Sequence, residues 1–136
     1  MDLVKTLHIS AAGMDAEARR MRVIAENMAN ADSAAKTPGD LPYRRKLVTF
    51  ENVLDRELGV NLVRIGRTRR DTSPFGKRYD PGHPAADANG YVRLTNVNGL
   101  IEMSDMREAM RSYEANLSVI QSARTMLRAT IDLLAR

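Results

Sequence analysis

Few residues in this chain could do acid–base or ligand chemistry, and they are scattered. His83 sits between Asp80 and Asp87 in a segment rich in Pro and Gly; the second His, His8, lies far away near the start. A metal centre needs three or four donors held in fixed geometry, and turn chemistry already accounts for Asp80 and His83. No Ser–His–acid set is visible, because His8 falls on a helical pattern and His83 in a Pro-rich turn. Gly82 and Gly90 are isolated, so no glycine-rich phosphate loop is present. With 0 Cys, disulfides, thiolate zinc sites and cysteine nucleophiles are excluded. The sequence therefore predicts no catalytic, cofactor-binding or metal-ligating residue. Two basic clusters remain, Arg44-Arg45-Lys46 and Arg64, Arg67, Arg69 and Arg70. They read either as a nucleic-acid contact or as charged strand edges and salt bridges to a neighbouring subunit. Only Tyr43 abuts the first cluster and no aromatic interleaves the second, which favours the latter.

What must position these residues follows from composition and pattern. The 136 residues suffice for one domain. Aromatics are only 4% of the chain and Trp is absent, so any core comes from Leu, Ile, Val, Met and Ala. That favours helical packing. Leu3, Leu7, Ser10, Met14, Glu17, Met21, Ile24, Met28 and Ala31 alternate by four and three, a heptad seam on a helix within residues 1–35. Ala11, Ala18 and Ala25 beside it permit close helix approach, and Gly13 is the one helix-weakening residue. Met103, Met106, Met110, Tyr113, Leu117, Ile120, Arg124, Leu127, Ile131 and Leu134 repeat the pattern over residues 102–136, with Ser104 as a candidate cap. Apart from Met1, every Met lies in these two helices, most of them on the seam; Met suits packing that must adapt to non-equivalent neighbours.

Residues 36–101 hold all 5 Pro and most of the 8 Gly. Val60, Leu62, Val63 and Ile65 read as a strand, as do Tyr91, Val92 and Leu94. Residues 45–50 read as another, with 50–58 as an alternative short helix. Asn89-Gly90 is a hairpin-type turn signal. The predicted fold is mainly α: an antiparallel pair of long N- and C-terminal coiled-coil helices, with an irregular middle region containing a small β-hairpin. A register placing Glu17 beside Arg124 would pair the two charged intruders of the seams, and would also match Met14 with Leu127 and Met21 with Ile120. The middle offers no third helix, so neighbouring copies are expected to complete the pair. The net charge of +4 leaves a basic nucleic-acid-binding module as one alternative, and a small coiled-coil adaptor as another. The N-terminus carries Asp2, Lys5 and His8 among its apolar residues, so no secretory h-region is read there.

Several motifs together resemble a known family. Ser10-Ala11-Ala12-Gly13-Met14, followed by Ile24-Ala25-Glu26-Asn27-Met28-Ala29-Asn30-Ala31-Asp32-Ser33, is similar to the N-terminal signature of bacterial flagellar rod and hook proteins, with Ser33 in place of the usual Thr. Pro42-Tyr43-Arg44-Arg45-Lys46 and the run Tyr79-Asp80-Pro81-Gly82-His83-Pro84 through Gly90-Tyr91-Val92 resemble the proximal-rod members of that family rather than their rod siblings. The segment from Glu102-Met103 to Tyr113-Glu114-Ala115-Asn116 matches as well. Thr95 stands where the family usually has Pro, a change expected to loosen the turn before Asn96-Val97. Asn27, Asn30, Tyr43, Arg44, Arg45, Tyr79, Asp80, Pro81, Gly82, His83, Pro84, Gly90 and Tyr91 carry the family motifs.

The resemblance implies a structural subunit, not an enzyme. It implies export through the flagellar type III apparatus without a cleaved signal, and polymerisation in the periplasm into the rod that joins membrane ring to hook. The implied partners are other copies of the chain, other rod proteins, the rod–membrane-ring junction protein and, during secretion, the export apparatus. Nucleic acid and a lipid anchor are not among them. The terminal helices would form an inner tube and the middle region an outer layer. Phe50 and Leu54, four apart, resemble the export signal of such subunits; on a helix the same spacing is also ordinary core.

Overall fold

In the computed structural model, which describes residues 2–135, helix α1 covers Leu3–Ala29. Asp2 starts it, its Oδ1 accepting from the N–H of Val4 at 3.1 Å and of Lys5 at 3.2 Å, two donors the helix itself leaves unpaired. At the other end the Asn30 side-chain amide donates to the Glu26 carbonyl at 2.8 Å, and the Ser33 hydroxyl donates to the Asn30 carbonyl at 2.9 Å. Helix α2 covers Gly99–Leu134. Its cap is Asn98, whose Oδ1 accepts from the N–H of Leu100 at 3.0 Å and of Ile101 at 3.4 Å. Ser104, the cap expected from sequence, lies inside the helix instead. Among the described residues no helix is long and apolar enough to cross a membrane.

Short strands lie between the helices and pair antiparallel, two by two. β1 (Lys46–Leu47) pairs with β4 (Arg69–Arg70), β2 (Phe50–Asp55) with β3 (Val60–Ile65), and β5 (Gly76–Tyr79) with β6 (Tyr91–Leu94). The strands expected at 60–65 and 91–94 are present. The alternative short helix at 50–58 is not: Asp55 Oδ1 accepts from the N–H of Glu57 and Leu58, each at 3.0 Å, and Gly59 takes φ +65°, which turns the chain back into β3.

The residues fall into two compact units, one formed by Met1–Met21, Thr49–Arg67 and Arg107–Arg136, the other by Arg22–Val48 and Thr68–Met106. In the first, α1 and α2 pack antiparallel through small residues. Ser10, Gly13 and Ala16 are buried on α1, and Ala109 and Ala123 on α2. A Cβ on Gly13 would lie 2.8 Å from Asn116 Nδ2, so this glycine is what lets the Asn116 amide reach the α1 backbone. Ala11, expected to serve that purpose, is exposed. The expected register is also corrected. With Gly13 against Asn116, Arg124 lies about three turns, roughly 18 Å, from the level of Glu17. Glu17 instead lies 3.7 Å from Arg20 of its own helix, and Arg20 lies 3.4 Å from Glu108. One Glu17 oxygen is buried with no hydrogen-bond partner. Burial pushes its carboxyl above the usual range; Arg20 opposes this and the nearby Glu108 adds to it.

The second unit has a small apolar core of Ala35, Ala85 and Val92, with Ala34 and Ala86 packed against it. So few methyl groups cannot alone order the long irregular segments of this unit, and a buried polar network does much of that work.

Candidate functional site

Asn27 is at the centre of that network. It sits in the last turns of α1, 1% exposed, and all its amide hydrogen-bonding capacity is used. Its Oδ1 accepts from the Tyr43 hydroxyl at 2.9 Å and the Lys46 N–H at 2.9 Å. Its Nδ2 donates to the Lys46 carbonyl at 2.8 Å and to Glu102 Oε2 at 3.0 Å. The side chain thus pairs with Lys46 as a neighbouring strand would. Glu102, in the first turn of α2, is also 1% exposed; its other oxygen accepts from Arg45 Nε at 2.5 Å. Arg45 reaches Asp105 at 3.2 Å and Asp71 at 3.7 Å as well. Its N–H donates to Asn96 Oδ1 at 2.7 Å, and the Lys46 ammonium pairs with Glu26.

The electrostatics fit a closed structural clamp. Burial, with Glu26 and Glu102 nearby, pushes the Tyr43 hydroxyl up to about 12. The Ser73 N–H and hydroxyl hold the Asp71 carboxyl below its usual value, and Arg45 adds to this. Within this network each acid is met by a donor and each donor by an acceptor. Arg44 is used up in the same way. It donates to the carbonyls of Asp71 at 2.8 Å and Ser73 at 3.1 Å, with its guanidinium 4.1 Å from the Phe75 ring centre. The first basic cluster is therefore tied down within the unit, whereas Arg64, Arg67, Arg69 and Arg70 are exposed.

The second motif forms the loop between β5 and β6. The Asp80 N–H donates to the Gly90 carbonyl at 2.9 Å and the His83 N–H to the Asp80 carbonyl at 3.1 Å. His83 Nδ1 accepts from the Ala85 N–H at 3.0 Å, seating Ala85 in the core. Asp87 Oδ1 accepts from the N–H groups of Tyr91 and Asn89, each at 2.9 Å, which lowers its carboxyl pKa. Gly90 takes φ +80°, and a Cβ there would lie 2.9 Å from the Tyr79 ring, which packs edge-on to Tyr91 at 5.3 Å. Pro81, Gly82 and Pro84 shape the same loop. Among the described residues no group of three acids and histidines converges on a metal position. Thr95, expected to loosen its turn, instead closes it: its hydroxyl accepts from the Val97 N–H at 3.2 Å.

The seam residues divide. Ile24 is buried, and Leu3, Leu7, Met14, Met21, Met106, Tyr113 and Ile120 are half-buried. Met28, Met110, Leu117, Leu127, Ile131 and Leu134 are exposed, as are Phe50 and Leu54, which lie on strand β2 rather than on a helix. The structure joins Asn27 of one motif to Tyr43 and Arg45 of another, and adds Glu102, Asp105, Asp71 and Asn96, which sequence reasoning did not single out as site residues. The available signal was spacing: Glu102, Ala109, Asn116 and Ala123 recur every seven residues, one position before the apolar row chosen on α2.

Comparison with known proteins agrees with these motifs. A family model described as flagellar basal body rod FlgEFG protein C-terminal matches residues 88–133. The flagellar basal-body rod protein FlgC of Agrobacterium fabrum is 52% identical over 126 residues, 93% of this chain and 91% of that protein. The FlgC proteins of Borreliella burgdorferi and Salmonella typhimurium are 36% and 35% identical; each comparison covers 98% of this chain, with 99% and 98% of the relative. With that identity extending over nearly the full length, the chain belongs to the FlgC family of flagellar basal-body rod proteins.

Proposed function

We propose that this chain, a structural subunit of the flagellar basal-body rod and not an enzyme, enters the rod by burying on neighbouring subunits the apolar side chains that its own helix pair leaves in water. One observation carries this reading. Small and polar residues fill the contact between the helices, while Met110, Leu117, Leu127, Ile131 and Leu134 of α2 stay 37–83% exposed. A rod subunit assembles with other rod components, and a stripe of this kind is what coiled-coil packing against copies and other rod proteins requires. Each Leu or Ile so buried contributes about 1.5–3 kcal/mol, so many modest contacts add up to a stiff shaft. Before assembly the exposed stripe leaves the helix pair weakly held, which suits passage through the type III export apparatus to a periplasmic rod seated on the membrane-ring junction. Phe50 and Leu54 share one exposed face of β2 and are open to a receptor at the export gate.

Leu127→Asp tests the reading. Leu127 is already 37% exposed, so the variant should keep its helical circular dichroism. It should be missing from purified basal bodies, and its cells should not swim. Normal swimming with the variant in the rod would contradict the proposal. Ile120→Asp, at a half-buried position, should likewise be missing from basal bodies but with some loss of helix stability.

A further inference from the structure

The hairpin of β2 and β3 is open on both sides. The Gly66 N–H donates to the Thr49 carbonyl at 2.8 Å, in the frame that pairs Phe50 with Ile65 and Glu51 with Arg64. Hydrogen-bonded and non-bonded pairs alternate along an antiparallel ladder, so the ladder bonds fall at Glu51, Val53 and Asp55. Phe50, Asn52 and Leu54 on β2 therefore turn their N–H and C=O outward, as do Asn61, Val63 and Ile65 on β3. Among the described residues no further strand takes up these groups. The edges contain neither Pro nor Lys, their charges are Glu51, Asp55 and Arg64, and Phe50 and Leu54 are 44% and 58% exposed. A two-stranded hairpin is marginal by itself, and a third strand is the ordinary remedy.

Charge identifies that strand. β2 carries Glu51 and Asp55 and no cation; β3 carries Arg64 and no acid. Glu51 and Arg64 face each other in the ladder, yet the Glu51 carboxylate leans over Gly66 instead. Setting the β3 edge of one copy on the β2 edge of another would align opposite charges across the new junction. Joining like edges offers no register in which Glu51, Asp55 or Arg64 meets an opposite charge, and some registers in which like charges meet. We infer that copies of this chain join hairpin to hairpin, β3 edge on β2 edge, as a continuous antiparallel ribbon. Such a junction is head-to-tail and leaves one edge of each kind free, so it propagates rather than closing on itself. The inference rests on the reading that copies of the chain polymerise, and it adds the surface by which they do so.

The absence of Cys allows a direct test with purified full-length chain. Asn52→Cys and Val63→Cys leave every charge in place and occupy positions that oppose each other across the new junction, at a spacing a disulfide spans. When the two variants are mixed and mildly oxidised, the mixed dimer should exceed either homodimer by about two- to fivefold, because only the 52–63 register sets Glu51 against Arg64, whereas the 52–52 and 63–63 junctions set these charges against Val53 and Leu62. Equal yields, or no mixed dimer, would overturn the inference. Glu51→Arg should weaken concentration-dependent association by sedimentation, and adding Arg64→Glu to the same chain should restore it; failure to restore it also refutes the pairing. The cysteine variants are then followed into basal bodies. Chain present in the rod without the crosslink refutes the ribbon but leaves the assembly reading intact. Chain absent from basal bodies, with the crosslink formed in solution, has the opposite meaning.

Discussion

Glu102→Gln removes one charge from the most enclosed acid of the second unit while keeping its shape. The wild-type carboxylate accepts from Arg45 Nε at 2.5 Å and from Asn27 Nδ2 at 3.0 Å, at 1% exposure. The amide has one acceptor, so its NH2 must face one of those donors. Removing one partner of a buried ion pair costs about 3–5 kcal/mol. Here the orphaned cation is not alone, since Arg45 keeps Asp105 at 3.2 Å and Asp71 at 3.7 Å. That lowers the expected loss to about 2–3 kcal/mol of unfolding free energy. A urea titration reads it. With a slope of about 1–3 kcal/mol per molar, the midpoint should fall by roughly 0.7–3 M. Arg45→Met combined with Glu102→Leu should cost less than the two single changes added together, because no unpaired charge remains inside. A loss under about 0.5 kcal/mol for Glu102→Gln, with the single changes simply adding, would refute the claim that this network holds the unit together.

Gly13→Ala sets a Cβ 2.8 Å from Asn116 Nδ2, so the amide must shift; an overpacking cost of about 1–3 kcal/mol, offset by about 1 kcal/mol of helix preference, leaves a net loss of about 0–2 kcal/mol, read from the thermal midpoint. In an Asn116→Ala background the same change should instead stabilise by up to about 1 kcal/mol, the helix preference of Ala over Gly. The network should also fail at high pH. Tyr43 is neutral in the folded chain up to about 12 against an ordinary value of 10, so its contribution is complete below pH 10 and disappears as pH rises through 12. Tyr43→Phe should remove that alkaline loss in a pH series of denaturant midpoints. At the acid end, Asp71 and Asp87 have lowered values. Their contribution is present above their ordinary value near 3.8 and is lost as pH falls through the lower folded values. Asp71→Asn should flatten part of that acid limb.

The helices were legible because hydropathy repeats every three to four residues over long stretches, and because α2 contains neither Gly nor Pro between Leu100 and Leu134. What failed was the choice of inner face. On α2 the buried positions Glu102, Ala109 and Ala123 are polar or small, so the larger Met103, Met110 and Leu117 one residue later outweighed them in the pattern. The same cause hid the register: Gly13 looked like a weakness in a helix, and only its contact with Asn116 shows what it permits. In the middle region the strands at 60–65 and 91–94 were readable from β-branched residues and turn signals. Asn27 was visible in one motif, and Tyr43 and Arg45 in another. That Asn27 and Arg45 share the Glu102 carboxylate, with Tyr43 bonded to Asn27, was not visible, because Glu102 lies far along the chain and no local pattern connects it to them. The stacking of Arg44 on Phe75 was hidden for the same reason.

The central claim is that this chain builds the rod, and imaging of basal bodies from a strain lacking it tests that claim most directly. The account predicts membrane rings without a completed rod or hook, restored by the wild-type chain and not by Leu127→Asp. Complete, rotating flagella in that strain would contradict it.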